Sequence, residues 1–316
     1  MTATTGRSLT QTELLRELEP VVAGELDRHL ASAREWFPHE YVPWSEGRSF
    51  DGVLGGEAWS PEDTTLPEVA RTALVVNLLT EDNLPSYHYE IATTFGRDGA
   101  WGTWVHRWTA EEGRHAIAIR DYLTVTRAVD PVELERQRMA HMGEGYESID
   151  DSLLGALAYV SFQELATRVS HRNTGKATGD PVADQLLARI AQDENLHMVF
   201  YRNLLGAALE LDPDQTMAAI LNVVTQFAMP GVGIAGFQRK AFDIALAGIY
   251  DLRQHRDEVL MPVLRKWGVF ELEGLGAVGE QSRTALAEHL DGLERDANRF
   301  EERRDAMLAR RAARAG

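Results

Sequence analysis

Two short strings in the sequence place a histidine three residues after a glutamate. They are EGRH at 112–115 and ENLH at 194–197. Residues three apart share one face of an α-helix, so each string could offer a carboxylate and an imidazole to the same metal ion. Such strings also arise by chance in a chain rich in glutamate, and the two strings alone are a weak signal.

Four glutamates fall where a carboxylate is not expected. Glu81, Glu112, Glu164 and Glu194 lie three, four or seven residues from apolar residues, on stripes that should face a core. Because a buried, unpaired carboxylate loses its hydration, it is unstable by several kcal/mol. Each of the four glutamates therefore needs a partner.

The spacing of these residues repeats along the chain. A predicted helix with one glutamate is followed by a helix with a Glu-x-x-His string, and this unit occurs twice. The separations are 31 residues from Glu81 to Glu112, 30 from Glu164 to Glu194 and 82 from His115 to His197. A separation of about 30 residues corresponds to half a helix, a turn and half of the next helix. In an antiparallel bundle, this spacing would bring the four carboxylates and two imidazoles to the same level.

The chemistry of this donor set is specific. Carboxylate oxygens with one imidazole per metal suit iron or manganese. Four carboxylates with two Glu-x-x-His strings are the ligand scheme of the ferritin-like di-iron carboxylate proteins. The alternative is that arginines such as Arg114, Arg168 and Arg172 balance the four glutamates. That alternative explains neither the histidines nor the repeat.

Two further acids directly precede the Glu-x-x-His strings. A histidine that binds metal usually donates its second N–H to a carboxylate. The repeat predicts that Asp193 accepts this bond from His115 and that Glu111 accepts it from His197. Alternatively, both acids lie on a helix surface.

Helical patterns dominate the elements that must position these residues, and no strand pattern of convincing length appears. The predicted helices span 9–31, 66–96 with a kink at Pro85, 101–128, 150–173, 180–209, 213–228, 235–249, 254–266 and 281–313. Asp180 and Pro181 are a typical N-cap and first helical residue. The expected fold is all-α, a ferritin-like helical bundle with a four-helix di-iron core and additional helices. A single domain, 1–316, would comprise an N-terminal helix and loop (1–61), the core (62–210) and additional C-terminal helices (211–316).

Composition excludes several functions. The 316 residues contain no cysteine, which rules out disulfides, thiolate metal sites and iron–sulfur clusters. The net charge of −17 argues against nucleic acid as a partner. No apolar run reaches the roughly 18–20 residues of a membrane span, and the first residues lack the apolar stretch of a signal peptide. A cytoplasmic protein is expected.

Longer strings around these residues carry a resemblance to a known family. They are WFPHEYVP at 36–43, TEDNLPSYH at 80–88, WTAEEGRH at 108–115, SFQELATRVSHRNTGK at 161–176 and DENLHMVFY at 193–201. The sequence resembles the soluble acyl-acyl carrier protein (acyl-ACP) desaturases over roughly residues 10–300, and most closely their actinobacterial branch. Ferritins and ribonucleotide reductase small subunits share the ligand scheme but not the strings SFQELAT and TEDNLP.

The resemblance implies a role for individual residues. The implied ligands of two iron ions per chain are Glu81, Glu112, His115, Glu164, Glu194 and His197, with Glu112 and Glu194 bridging the two ions. Thr167 would be a hydroxyl near the oxygen-binding position. Trp36, Asp193 and His115 would lead electrons to the iron pair, and Thr93, Ala156 and Leu157 would line the acyl channel. Gly113 replaces the family's usual asparagine, off the ligand face of its helix.

The resemblance also implies an activity. The chain would use O2 to introduce a cis double bond into a fatty acyl chain carried on ACP. No flavin or nicotinamide motif is present, so a ferredoxin-type donor is expected to supply the electrons. A homodimer is also implied. Two alternatives remain, namely a di-iron hydroxylase of a carrier-bound acyl chain and a ferritin-like iron-binding protein.

Overall fold

The protein is helical, as the sequence predicts. A computed structural model describes residues 7–231 and 233–315. The helices are α1 (Gln11–Ser32), α2 (Glu68–Asp82), α3 (Leu84–Phe95), α4 (Gly99–Val125), α5 (Pro131–Glu144), α6 (Leu153–Thr178), α7 (Pro181–Leu211), α8 (Pro213–Gln226), α9 (Phe237–Leu246), α10 (Leu252–Gln254), α11 (Met261–Trp267) and α12 (Ala277–Ala315). A π-helical turn, His255–Leu260, joins α10 to α11. Apart from one isolated bridge between Phe50 and Glu57, these residues form no β-structure.

The division of the chain into one domain with three parts stays a prediction. Its bounds include residues 1–6, 232 and 316, which lie outside the described residues. Within the described part of the chain, no helix is long and apolar enough to cross a membrane.

The hairpin of α6 and α7 shows why the spacing of about 30 residues brings two glutamates level. Gly179 ends α6 in the left-handed conformation, with φ 65°. The Asp180 side chain then caps α7 by accepting from the Val182 N–H at 3.0 Å, and Pro181 is the first residue of α7. Glu164 lies 15 residues before Gly179 and Glu194 lies 15 residues after it. Because the two helices run antiparallel, both carboxylates reach the same depth.

The end predicted for α6 was wrong by several residues. The predicted helix over 150–173 stops just before Gly175, but α6 continues to Thr178. At Gly175, a Cβ would lie 3.1 Å from the Asp184 Cα of α7. The glycine therefore allows the two helices to approach closely rather than ending the first one.

The predicted kinked helix over 66–96 is two helices. α2 ends at Asp82, Asn83 has ψ 12°, and α3 begins at Leu84. Pro85 lies in the first turn of α3, where its missing N–H costs no helical hydrogen bond. The break lets α3 turn while still packing on α4.

Helices other than α2, α4, α6 and α7, which carry the six predicted ligands, complete the fold. α1 packs on α4 and α7, and α12 packs on α8. In the core beside the predicted ligands, the Trp104 ring stacks on Phe200 and its Nε1–H donates to the Tyr201 hydroxyl at 3.0 Å. α5 was not predicted, since its sequence is mostly polar and buries only Leu134 and His141.

Candidate metal centre

The six predicted ligands lie together in the core of α2, α4, α6 and α7. All six residues are buried, each with 6 % or less of its surface exposed. They form two sets, each with four donor atoms within 4.8 Å of one another. The sets are Glu81, Glu112, His115 and Glu194, and Glu112, Glu164, Glu194 and His197. Glu112 and Glu194 belong to both sets, which is the arrangement expected of carboxylates that bridge two ions.

In the first set, His115 Nδ1 is the central atom. It lies 3.1 Å from Glu194 Oε1, 3.3 Å from Glu112 Oε2 and 3.7 Å from Glu81 Oε2. Three carboxylates therefore surround the lone-pair position of one imidazole nitrogen.

The second set repeats this geometry around His197. Its Nδ1 lies 2.7 Å from Glu112 Oε1 and 3.6 Å from Glu164 Oε2. The other oxygen of Glu164, Oε1, accepts from the Trp108 indole N–H at 3.0 Å. This bond fixes the carboxylate from outside the cluster.

The donor atoms that face the centre of the cluster are left without hydrogen-bond partners. They are Glu112 Oε1, His115 Nδ1, Glu164 Oε2, Glu194 Oε1 and His197 Nδ1. Buried polar atoms in native proteins nearly always have a partner. Metal ions bound between these atoms would satisfy all five at once, so the residues present fit a pair of metal ions.

Arginine does not balance the four glutamates. Among the described residues, none of the four carboxylates forms an ion pair with arginine or lysine. Arg114 pairs with Asp193 at 3.1 Å, and Arg172 pairs with Asp184 at 3.0 Å. The arginine alternative is therefore wrong.

The electrostatics of the cluster favour protons at three of the six ligands. Burial, reinforced by the carboxylates of Glu112 and Glu164, raises the pKa of Glu194 well above its ordinary value. Burial also disfavours charge on both histidines. The surrounding acids outweigh it, with Glu112 foremost at His115 and Glu111 at His197, so both histidine pKa values lie well above the ordinary one.

The pKa values of Glu112 and Glu164 shift in the opposite direction, downwards. Burial acts to raise the pKa of each carboxyl group. His115 beside Glu112 favours the ionised form, as do Glu194 and His197 beside Glu164, and the net effect lowers both pKa values. Divalent cations would displace the protons that the raised pKa values of Glu194, His115 and His197 favour.

The outer nitrogens of both histidines meet the predicted acids. His197 Nε2 lies 2.9 Å from Glu111 Oε2, and His115 Nε2 lies 3.5 Å from Asp193 Oδ2. Burial opposes ionisation of Asp193, but hydrogen bonds with His115 and Trp36 lower its pKa to about 2. Both acids are buried rather than on the helix surface. These contacts turn the Nδ1 atom of each histidine towards the centre of the cluster.

Trp36 completes a chain of contacts to the first set. Its indole N–H donates to Asp193 Oδ2 at 2.7 Å. Its ring lies nearly parallel to His115, with centroids 6.4 Å apart, and the Arg114 guanidinium covers it at 4.9 Å. Trp36, Asp193 and His115 therefore form a continuous chain of contacts, and their role in leading electrons stays a prediction.

Sequence reasoning missed two histidines beside the cluster. His171 Nε2 lies 2.8 Å from Glu81 Oε1, and His29 Nε2 lies 2.9 Å from Glu111 Oε2. His171 could have been found, because it is seven residues after Glu164 on the same helix face. His29 continues the buried stripe of α1, but nothing local connects it to Glu111.

A largely apolar cavity reaches the cluster from one side. Glu81, Glu112, Glu164 and Glu194 are among the residues that line it. A second cavity, lined by α9 residues such as Phe237 and Ile244, adjoins it, and both are lined by Thr80, Glu81 and Thr167. The Thr167 hydroxyl accepts from Gln163 Nε2 at 2.9 Å.

Only one of the three predicted channel residues lines this cavity. Ala156 does so. Leu157 is fully buried in the core, and Thr93 is exposed in a separate surface pocket beside His106. Thr94 lines the cavity instead of Thr93. One residue along an α-helix turns the side chain by roughly 100°, which explains the difference.

Comparison with known proteins identifies the family of this chain. Residues 10–315 match the fatty acid desaturase family. The chain belongs to this family. Its relatives are acyl-ACP desaturases, which are oxidoreductases, and the fold of this desaturase is the ferritin-like helical fold.

Relatives of the desaturase come from bacteria and plants. The protein named "putative acyl-ACP desaturase DesA1" from Mycobacterium tuberculosis is 52 % identical and matches 96 % of this chain and 92 % of its own length. A palmitoyl-ACP 4-desaturase of chloroplasts from Ophrys sphegodes is 31 % identical, over 86 % of this chain and 72 % of its own. The X-ray structure of DesA2 from Mycobacterium tuberculosis superposes with a TM-score of 0.69 at 35 % identity, covering 83 % of this chain and 97 % of the DesA2 chain. These matches place the desaturase in the actinobacterial branch.

Gly113 gives a stability prediction for the desaturase. A Cβ at this helical position would meet only Leu84 Cδ2, at 3.8 Å. Gly113→Ala should therefore raise the free energy of unfolding by about 0.5–1 kcal/mol, because alanine loses less backbone entropy in a helix. Thermal melts would show this, with metal content unchanged. Gly102→Ala, on the same helix, is the matched control and should destabilise, since its Cβ would overlap the Arg97 carbonyl. A lower melting temperature for Gly113→Ala would contradict the assignment of open space at this position.

Proposed function

We propose that this protein uses O2 to introduce a cis double bond into a fatty acyl chain carried on ACP, at a di-iron centre held by the six buried ligands. The observation that carries the proposal is the pair of donor sets sharing Glu112 and Glu194, in the wall of a cavity. Names of the relatives support the carrier-bound acyl substrate. A homodimer is part of the proposal through the family resemblance.

The proposed reaction needs two electrons from an external donor. The acyl chain loses one hydrogen from each of two adjacent methylenes. These two hydrogens, with two electrons and two protons, reduce O2 to two waters. Two iron ions, when bound, would supply the oxidising strength that an unactivated methylene requires.

The side chains of the protein place the substrate. The cavity runs along α3 from Leu84 to Thr94, a helical rise of about 15 Å, so it suits an extended hydrocarbon chain. Its apolar walls exclude water from the reacting carbons. The hydroxyls of Tyr87 and Tyr159 donate to the carbonyls of Pro230 and Ala228, which holds the α8–α9 loop against the cavity.

Thr167 is the hydroxyl best placed to act beside the ligands. It lies one turn after Glu164, is 6 % exposed and lines both cavities. Its hydrogen bond from Gln163 leaves its own proton free to be donated towards the cluster. We assign it a role in holding or delivering a proton during oxygen reduction.

The route for electrons is proposed to be Trp36, Asp193 and His115, fed by a ferredoxin-type donor. Trp36→Phe keeps an aromatic ring but removes the N–H that Asp193 accepts. Turnover driven by the natural donor should fall by about 10-fold or more, as is usual when support of a ligand histidine is lost. Iron content after loading with saturating Fe²⁺ should not change. Trp44→Phe, at an indole 52 % exposed, is the matched control and should keep full turnover. Normal turnover of Trp36→Phe would remove Trp36 from the route.

Oxygen consumption separates the proposed enzyme from an iron-binding protein. The iron-loaded protein, supplied with ferredoxin and its reductase, is mixed with O2 in the presence or absence of acyl-ACP. We expect sustained O2 consumption only with acyl-ACP. Equal consumption without it would favour the ferritin-like alternative.

A further inference from the structure

Helix α1 ends in a buried histidine to which the proposed reaction gives no role. His29 is 0 % exposed and lies in the last turn of α1, where it continues the buried stripe of Leu14, Leu18, Val22 and Leu26. Its ring packs edge-on against Trp104, with centroids 5.0 Å apart, and lies nearly parallel to His197 at 5.7 Å. A polar ring in such a place needs a specific partner.

That partner is shared with a proposed metal ligand. Glu111 Oε2 lies 2.9 Å from His29 Nε2 and 2.9 Å from His197 Nε2. An ionised carboxylate can only accept, so both rings must donate their Nε2–H. The other oxygen, Glu111 Oε1, pairs with Arg107. Glu111 is therefore fixed from three sides.

The same three residues could be taken for a third metal site, because their donor atoms lie within 4.8 Å of one another. Their hydrogen bonds argue against this. Neither Glu111 oxygen and neither Nε2 atom is left without a partner, whereas the atoms facing the di-iron position are. The unpartnered nitrogen of His29 is Nδ1, on the opposite side of the ring from Glu111.

We propose that His29 is a positioning residue for one of the two metal ions, the ion bound by Glu112, Glu164, Glu194 and His197. The inference rests on the metal centre of the proposed function. His29 holds Glu111 in place, and Glu111 in turn fixes the Nε2–H form of His197. The lone pair of His197 Nδ1 then faces Glu112 and Glu164.

The other ion depends on the same part of the chain. Trp36, seven residues after His29, donates to Asp193, which contacts His115. The segment 29–36 therefore supports both ligand histidines, each through one acid. α1 also packs on α4 and α7, the two helices with Glu-x-x-His strings. Although no ligand lies on α1, its docking is required for metal binding at full affinity.

Two substitutions of His29 test the inference. The amide nitrogen of glutamine takes the place of Nε2, and that of asparagine takes the place of Nδ1. His29→Gln should retain the bond to Glu111 and bind two ions almost as the natural chain does. His29→Asn should bind one of the two ions about 10-fold more weakly. The measurement is an anaerobic Fe²⁺ titration with the bound metal counted, and melts of the metal-free variants check that both fold.

Combination with ligand variants identifies which ion is affected. In Glu81→Ala, which retains the His197 set, adding His29→Asn should weaken the remaining ion about 10-fold. In Glu164→Ala, which retains the His115 set, it should have no further effect, because the ion that His29 supports has already been lost. Equal weakening in both backgrounds would indicate a merely structural role and overturn the inference.

Two other results would also overturn the inference. One is equal metal affinity of His29→Gln and His29→Asn, and the other is a natural chain that binds no metal. Two ions bound with this pattern but no desaturation would leave the inference standing and contradict only the proposed function.

Discussion

Glu194→Ala should remove most of the binding of both metal ions. Glu194 belongs to both donor sets, so its loss would leave each proposed ion with three of the four donor residues of its set. Glu112→Ala should behave alike. By contrast, Glu81 and Glu164 each belong to one set, and the alanine variant of either should lose mainly one ion.

Metal analysis after anaerobic loading with Fe²⁺ measures this directly. The natural chain should bind about two ions, the Glu194 and Glu112 variants should lose most of both, and the Glu81 and Glu164 variants should retain about one. Glu210→Ala, at an exposed position on the same helix as Glu194, is the matched control and should bind as the natural chain does. Full binding by the Glu194 and Glu112 variants would refute the shared-ligand arrangement.

Metal-loaded protein should melt at a higher temperature than metal-free protein, and this gap should widen between about pH 5.5 and 7.5. Binding only to the folded state stabilises it by about 2.7 kcal/mol when the free metal is at 100 times its dissociation constant. The pH dependence follows from the protons that the cluster holds without metal. Burial and neighbouring acids raise the pKa of Glu194, and neighbouring acids outweigh burial to raise those of His115 and His197.

The pH dependence of folding stability has the same sign for Glu194, His115 and His197. A group whose pKa is higher in the folded than in the unfolded state stabilises the fold below its unfolded pKa, and that stabilisation is lost as the pH rises towards the folded pKa. The metal-free fold should therefore weaken from acidic to neutral pH. Glu112 and Glu164, whose pKa values are lowered, stay ionised throughout this range and contribute no slope. Metal affinity should rise with pH, because fewer protons must be displaced.

Thermal melts at a fixed free concentration of Mn²⁺, which is less readily oxidised than Fe²⁺, would measure the gap at each pH. The control is Glu194→Ala, in which the gap should be small at every pH. A gap that stays constant or shrinks as the pH rises in the natural chain would show that metal does not compete with protons at Glu194, His115 and His197.

The helical core could be predicted from the sequence because the relevant signals are local and periodic. The ligand spacing reflects helix length, and the Asp180–Pro181 start of α7 follows from capping chemistry. The four glutamates could be recognised as exceptions to apolar stripes. In the structure, all six predicted ligands lie in one cluster. Their role as ligands stays a proposal that the metal analysis tests.

Features that depend on contacts between distant segments were harder to predict from the sequence. Glu111 is 82 residues from His29, so only the packing of α1 brings them together. The choice between Thr93 and Thr94 depended on the rotation of α3, which the break at Asn83 sets. α5 lacked a clear apolar stripe, because few of its side chains are buried.

The most direct test of the central claim is mass spectrometry of the acyl-ACP recovered after incubation with the iron-loaded protein, O2, ferredoxin and its reductase. We predict a product two hydrogens lighter than the substrate, with a cis double bond at one position. We also expect no such product from Glu194→Ala. A product heavier by one oxygen atom would show a hydroxylase, and an unchanged acyl chain with both metal ions bound would contradict the proposed desaturation.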